Sequence, residues 1–191
     1  MLTRGRPETP RNAAAAQISA ADFVMEFLDR SILRERRMEA LWKRAARGPF
    51  PDEFREDLRF ESYEDREHAR ILRRHRATFA RSLPVARRAP GSRATKVGRT
   101  LSPAAALAEA LALKAVSQAE YTGTIRFVQD RFLRKFVEVL ANSEDMALPR
   151  LIERAGDYGI RPRVAEAIRA TALRTLSTDP VREHSLASSV A

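Results

Sequence analysis

Cysteine is absent from the 191 residues, which excludes disulfides, zinc–thiolate sites and a cysteine nucleophile. Glycine occurs only 7 times, and none of it forms the glycine-rich loop that cradles a phosphate. Aromatic residues make up 7% of the chain and do not interleave with basic segments, so there is no stacking platform for single-stranded nucleic acid. No apolar run approaches the roughly 18 residues that mark a membrane span. A nucleophile elbow and a zinc-binding histidine pair at i, i+4 are also missing. There are 3 histidines, with none between His75 and His184. Lysine is nearly replaced by arginine: Lys43, Lys96, Lys114 and Lys135 are the only lysines among 35 basic residues.

What remains is a helical vocabulary. Long runs of Ala, Leu, Arg and Glu are all good helix formers, and no segment alternates β-branched with polar residues over a strand's length. Hydrophobic residues amount to 44%, enough for one domain with its own core. The expected fold class is therefore all-α.

Residues 1–17 read as a flexible basic arm. Ser19 is placed to cap a first helix, with Asp22 three residues on, and that helix runs to about Arg47 before Gly48-Pro49. The short turn to Pro51 folds a second helix back antiparallel over about Asp52 to Leu83, and Pro84 ends it. Residues 84–101 hold Arg87, Arg88, Arg93, Lys96 and Arg99 and no acid, a basic crossover linker long enough to run the length of a bundle. Ser102-Pro103 opens a third helix as cap and first-turn proline. Its apolar pattern extends to about Ala141, with Thr122-Gly123-Thr124 marking a bend or break. Asn142 to Asp145 reads as the next helix start, leading to about Ala155, with Pro149 tolerated only in the first turns. A last helix spans about Pro162 to Leu176, and 177–191 reads as a flexible tail. The expectation is a single helical domain over 18–176, with two long antiparallel helices, a long third helix and short C-terminal ones.

Two helical stripes break the rule that a buried face is apolar throughout. The first helix presents Val24, Leu28, Ser31, Glu35, Met38, Trp42 and Ala45 on one side. The second presents Phe54, Leu58, Glu61, Asp65, His68, Leu72, His75 and Phe79. Buried charge is unfavourable unless paired or metal-bound. Glu35 lies 14 residues before Pro49 and Asp65 lies 16 after it, so an antiparallel hairpin sets the two carboxylates at one height, with His68 a turn further. Carboxylate and imidazole at that spacing are how helical bundles hold paired iron or manganese ions. The same residues also fit a buried polar network with no metal, and His75 fits a packed or rim position.

The segment Tyr63-Glu64-Asp65-Arg66-Glu67-His68-Ala69-Arg70-Ile71-Leu72, with Glu35 before it, resembles the ferritin-like superfamily and its rubrerythrin-type members over about residues 24–102. The resemblance implies a bundle with a crossover between the second and third helices and a metal centre ligated by Glu35, Asp65 and His68. The family's third-helix glutamate falls nearest Glu120, with Glu109 and Asp130 as alternatives. Two departures stand out: Asp65 takes the place of a glutamate, and the fourth-helix Glu-x-x-His pair has no histidine to supply it, leaving Glu144 and Glu153 as acids without that partner. The resemblance thus implies a degenerate site for iron or manganese.

The formal charge of +10 fits a phosphate-rich partner, or arginine-rich composition alone. Ala155, Gly159, Ile160, Ala165 and Ile168 have helix-turn-helix spacing. Arg161, Arg163 and Arg169 then lie on the open side of the second helix, able to meet phosphates or guanine edges. An ordinary helical hairpin has the same spacing. Arg4-Gly5-Arg6-Pro7 resembles the core of an AT-hook, which lays arginines in a narrow minor groove.

The leading expectation is a non-enzymatic, basic helical protein of the cytoplasm without a cofactor. It contacts nucleic acid through Arg161, Arg163 and Arg169, assisted by Arg4, Arg6, Arg87, Arg88 and Arg93. The alternative is the degenerate ferritin-like centre binding iron or manganese through Glu35, Asp65, His68 and Glu120. A third reading is a structural subunit of a homodimer or larger assembly. The arm at 1–17 reads alternatively as an organelle transit peptide.

Overall fold

The computed structural model describes residues 20–82 and 101–177. Among them the chain is an all-α bundle: α1 (Ala20–Ala45), α2 (Asp52–Ser82), α3 (Pro103–Thr124), α4 (Arg131–Asp157) and α5 (Pro162–Ser177), with a 3-10 turn over Ile125–Phe127. The basic arm, most of the crossover linker and the tail lie outside the described residues, and with them Arg4, Arg6, Arg87, Arg88 and Arg93. No described helix is long and apolar enough to cross a membrane.

Charge placement suits the opening hairpin. Asp22 sits in the first turn of α1 and Lys43 and Arg44 in its last; Asp52 and Glu53 open α2 and Arg81 closes it. Each group opposes the partial charge of its helix end. The connecting turn is tight: the Gly48 amide donates to the Ala45 carbonyl at 2.7 Å, and a Cβ at position 48 would meet that same oxygen at 3.0 Å. Phe50 is thereby delivered into the core, where its ring meets Phe54 at 4.9 Å and Tyr158 at 5.1 Å.

The start of α3 follows the sequence closely. The Ser102 hydroxyl accepts from the Ala105 amide at 3.2 Å, and Pro103 fills the first turn, where no amide is needed. The helix packs on α1, α4 and α5. Ala106, Ala110 and Ala115 are at most 1% exposed, and these small side chains let neighbouring backbones approach.

The third helix ends at Thr124, not near residue 141. The break falls just after Thr122-Gly123-Thr124. Asp130 restarts the chain, its carboxylate accepting from the Leu133 amide at 2.7 Å. Beginning at Arg131 fixes the phase of α4, which buries Leu133, Val137, Leu140, Glu144, Leu148 and Ala155. Phe132 and Val139, expected in the apolar pattern, are 80% and 51% exposed instead. Asn142 to Asp145, read from the sequence as a start, lie mid-helix. Pro149 is also internal; it removes the amide that would bond the Asp145 carbonyl, and both residues sit on the solvent face.

Two apolar clusters form, one at each end of the bundle. The first gathers the end of α1, the starts of α2 and α3, the end of α4 and α5, around Trp42, Phe54, Leu58, Leu107 and Leu111. The second gathers the opposite ends, around Phe27, Leu28, Leu72, Tyr121 and Leu140. The end of α2 and the start of α3 are thus far apart along the bundle axis, and the two helices run parallel. Helix α4 runs antiparallel to α2: Arg154 pairs with Asp57 at 3.1 Å, and Phe136 stacks on His75 at 5.6 Å. Between the clusters lies a polar layer.

Candidate functional site

The polar layer is built from four helices. Helix α1 contributes Glu35, α2 contributes Asp65 and His68, α3 contributes Lys114 and Tyr121, and α4 contributes Glu144. Glu35 and Asp65 are each 1% exposed, Lys114 3%, Glu144 2% and Tyr121 0%. Apolar residues further along the same stripes, Leu28 and Trp42 on α1 and Leu58 and Leu72 on α2, lie above and below the layer. The helical phase that buries Leu28 and Trp42 therefore also buries Glu35.

Glu35, Asp65 and His68 converge as the sequence predicts. Each offers one ligating atom, and the three atoms lie within 4.8 Å of one another. His68 Nδ1 is 3.3 Å from Glu35 Oε2. The Tyr121 hydroxyl donates to Glu35 Oε1. Both Asp65 oxygens, Glu35 Oε2 and His68 Nδ1 are buried and have no hydrogen-bond partner. Buried polar atoms are satisfied in the great majority of cases, so these four atoms form an unusual concentration of unsatisfied polar groups.

Lys114 is the cation of the layer. Its Nζ lies 3.0 Å from Glu144 Oε2, 3.6 Å from Asp65 Oδ1 and 3.6 Å from Glu61 Oε2. Burial disfavours the ammonium, but the charges of Glu144, Asp65, Glu61 and Glu35 outweigh it and hold its pKa above the ordinary lysine value. Three carboxylates lie within 3.6 Å of this one ammonium, so carboxyl groups outnumber it at this level. The carboxyl groups respond accordingly. Burial pushes Asp65 well above the usual range; Lys114 opposes this, and Glu35, Glu144 and Glu61 add to it. Burial takes Glu144 up to about 7 against the pull of Lys114. Glu35 differs: burial raises it, but the approach and charge of His68, the charge of Lys114 and the Tyr121 hydrogen bond prevail and hold it below the ordinary value. Burial and the Glu35 charge push the Tyr121 hydroxyl well above its ordinary value.

Glu120, the nearest third-helix candidate, is buried but faces another way. It pairs with Arg34 and lies 3.6 Å from Arg30, so it joins an arginine cluster on α1 and not the Glu35–Asp65–His68 group. Of its alternatives, Glu109 pairs with Arg37 at 2.9 Å and Asp130 caps α4. Sequence reasoning missed Lys114 and Tyr121, and named Glu144 only as a fourth-helix acid without its histidine.

A cleft of about 470 Å³ opens between α2 and α4. Its walls include Phe54, Leu58 and Met146, and it reaches Trp42, Glu61 and Lys114. The cleft thus touches the polar layer at Glu61 and Lys114; Glu35, Asp65 and His68 do not line it.

At the far end, Gly159 takes a φ of +84°, and the Ile160 amide donates to the Ala155 carbonyl at 2.9 Å. This turn buries Ala155, Ile160 and Ala165 and sets α5 against α3 as well as α4. Arg161 and Arg163 are exposed; Arg169 is partly buried, 3.9 Å from Glu166. Compared with protein-family models, curated proteins and solved structures, the chain matches none.

Proposed function

We propose that this chain is a metal-binding helical-bundle protein that holds one divalent first-row cation, iron or manganese, through Glu35, Asp65 and His68. The observation that carries this reading is Asp65: a carboxyl 1% exposed, with neither oxygen hydrogen-bonded, beside a second carboxylate and an imidazole. Ionised, it has the Lys114 ammonium 3.6 Å from Oδ1 but no hydrogen bond to either oxygen; protonated, it is a buried donor in want of an acceptor. Either form is unfavourable by about 1–3 kcal/mol or more. A cation bound by Glu35, Asp65 and His68 resolves both. Oxygen and imidazole donors without thiolate suit iron and manganese. The hairpin, the crossover and Asp65-x-x-His68 also agree with what the ferritin-like resemblance implies, now as a one-ion variant.

Metal analysis tests this directly. Protein purified from iron- or manganese-supplemented cells should retain close to one ion per chain, and Asp65→Ala or His68→Ala should lower the affinity at least tenfold. Equal, negligible metal in the native chain and both variants refutes the reading.

A second reading is favoured by the start of α5, where Ala165 and Ile168 pack against the bundle while Arg161, just before the helix, and Arg163 are exposed. Here the helical end of the protein contacts nucleic acid phosphates. Changing both arginines to alanine should then make the dependence of log affinity on log salt shallower by about 2. An unchanged slope on DNA and RNA removes this reading.

A further inference from the structure

We propose that Lys114 occupies, with its own ammonium, a second cation position beside the first, and so limits the centre to a single metal ion. This rests on the one-metal reading above.

The surroundings of Lys114 Nζ are those of a bound cation. Glu144 approaches to 3.0 Å and Asp65 and Glu61 to 3.6 Å, so carboxylates from α2 and α4 close on one positive point in a side chain 4% exposed. Three of the four helices crossing this level bring acids or imidazole inward: Glu35 from α1, Asp65 and His68 from α2, Glu144 from α4. Helix α3 alone brings the positive charge itself. Asp65 joins the two positions, since its Oδ1 faces Lys114 while the residue also belongs to the Glu35–His68 group. A carboxylate shared in this way is how two neighbouring cations are bridged.

Lysine suits such a substitution. Its ammonium is a compact point charge with three donors on a flexible stem. Tethered to α3, it cannot dissociate, exchange or change oxidation state. The position is therefore permanently filled, and Glu144 and Glu61 are committed to it. Replacing lysine by glutamate removes one positive charge and adds one negative charge. A divalent ion arriving at the same time restores the single positive charge that Lys114 carries. Lys114→Glu thus supplies the ligand that α3 lacks and opens the space it would serve.

The test is Mn(II) equilibrium dialysis with electron paramagnetic resonance on the full chain. The native protein should bind one Mn(II) with the spectrum of an isolated ion. Lys114→Glu should bind two, with the broadened spectrum of a spin-coupled pair. Lys114→Met, which removes the ammonium without adding a ligand, should also take a second ion, at least tenfold more weakly. If the native chain binds none, the one-metal reading itself fails. If the native chain binds one and both variants also bind one, that reading stands and the role of Lys114 is overturned. It is equally overturned if the native chain binds two, or if neither variant folds even in excess Mn(II), because a cation position must accept a replacement cation.

Discussion

The hydrogen bond from Tyr121 to Glu35 is one of the interactions that favour the ionised Glu35 carboxylate, and Tyr121→Phe isolates it. The exchange keeps the ring, its edge-to-face contact with Phe27 at 6.1 Å and nearly all the volume. Only the hydroxyl is lost. Glu35 is 1% exposed and Tyr121 0%, so solvent does not replace the missing donor. A hydrogen bond to a charged group contributes about 1.5–3 kcal/mol, which places the expected loss at about 2 kcal/mol. For a chain of this size that is about 4–8 °C in Tm. The loss should depend on pH in a defined sense. Burial acts to raise the Glu35 pKa, but His68, Lys114 and Tyr121 together hold it below 4.5. A carboxyl with a depressed native pKa stabilises the fold above its ordinary value, and the contribution disappears as the pH falls through the native one. Removing the donor moves the native pKa back up. The difference between variant and parent is therefore full at pH 7 and shrinks below about pH 4.5. Urea unfolding followed by the fluorescence of Trp42, the only tryptophan, measures it, with the exposed Tyr63→Phe as a control expected within about 0.5 kcal/mol of the parent. A loss for Tyr121→Phe below about 0.5 kcal/mol at pH 7, or one that grows in acid, refutes the reasoning.

Three further outcomes follow from particular groups. Glu144 has a native pKa of about 7 against an ordinary 4.5, so the folded chain keeps a proton that the unfolded chain releases, and metal-free stability should fall by on the order of 3 kcal/mol between pH 4.5 and 8; Glu144→Gln, never ionised, should flatten that slope, and parallel urea titrations of both proteins would count against it. Asp130→Ala removes the cap of α4 and should lower stability by about 1 kcal/mol, read by thermal unfolding. Gly159→Ala meets no neighbour within 4 Å yet holds a φ of +84°, so it should lose about 1 kcal/mol from backbone conformation alone; a variant as stable as the parent in urea would contradict this.

The opening hairpin and its inward Glu35, Asp65 and His68 were legible because they sit within single helices, where a period of 3.6 fixes the facing side. Lys114 carried the same signal, since it lies on the line through Leu107, Leu111 and Tyr121. In α3, however, alanine and leucine occur on nearly every side, so no single stripe stands out. Glu144 was hidden by a boundary. With a helix starting near residue 143 it reads as a first-turn acid; with the start at Arg131, set by the Asp130 cap, it falls in step with Val137, Leu140 and Leu148. The pairing of Glu120 with Arg34 crosses 86 residues, and no local spacing encodes it. The exposed Phe132 and Val139 trace to the same shift of phase.

Rods of leucine and alanine can interlock at several offsets, because every turn offers a similar set of knobs. The central charges remove that freedom. Sliding α3 along its neighbours by one turn, about 5.4 Å, would pull the lysine nitrogen away from Glu144, now 3.0 Å distant. A buried ammonium so displaced loses its closest counter-ion. The slab of charge through the middle of the molecule therefore works as a key that only one alignment of the helices can turn.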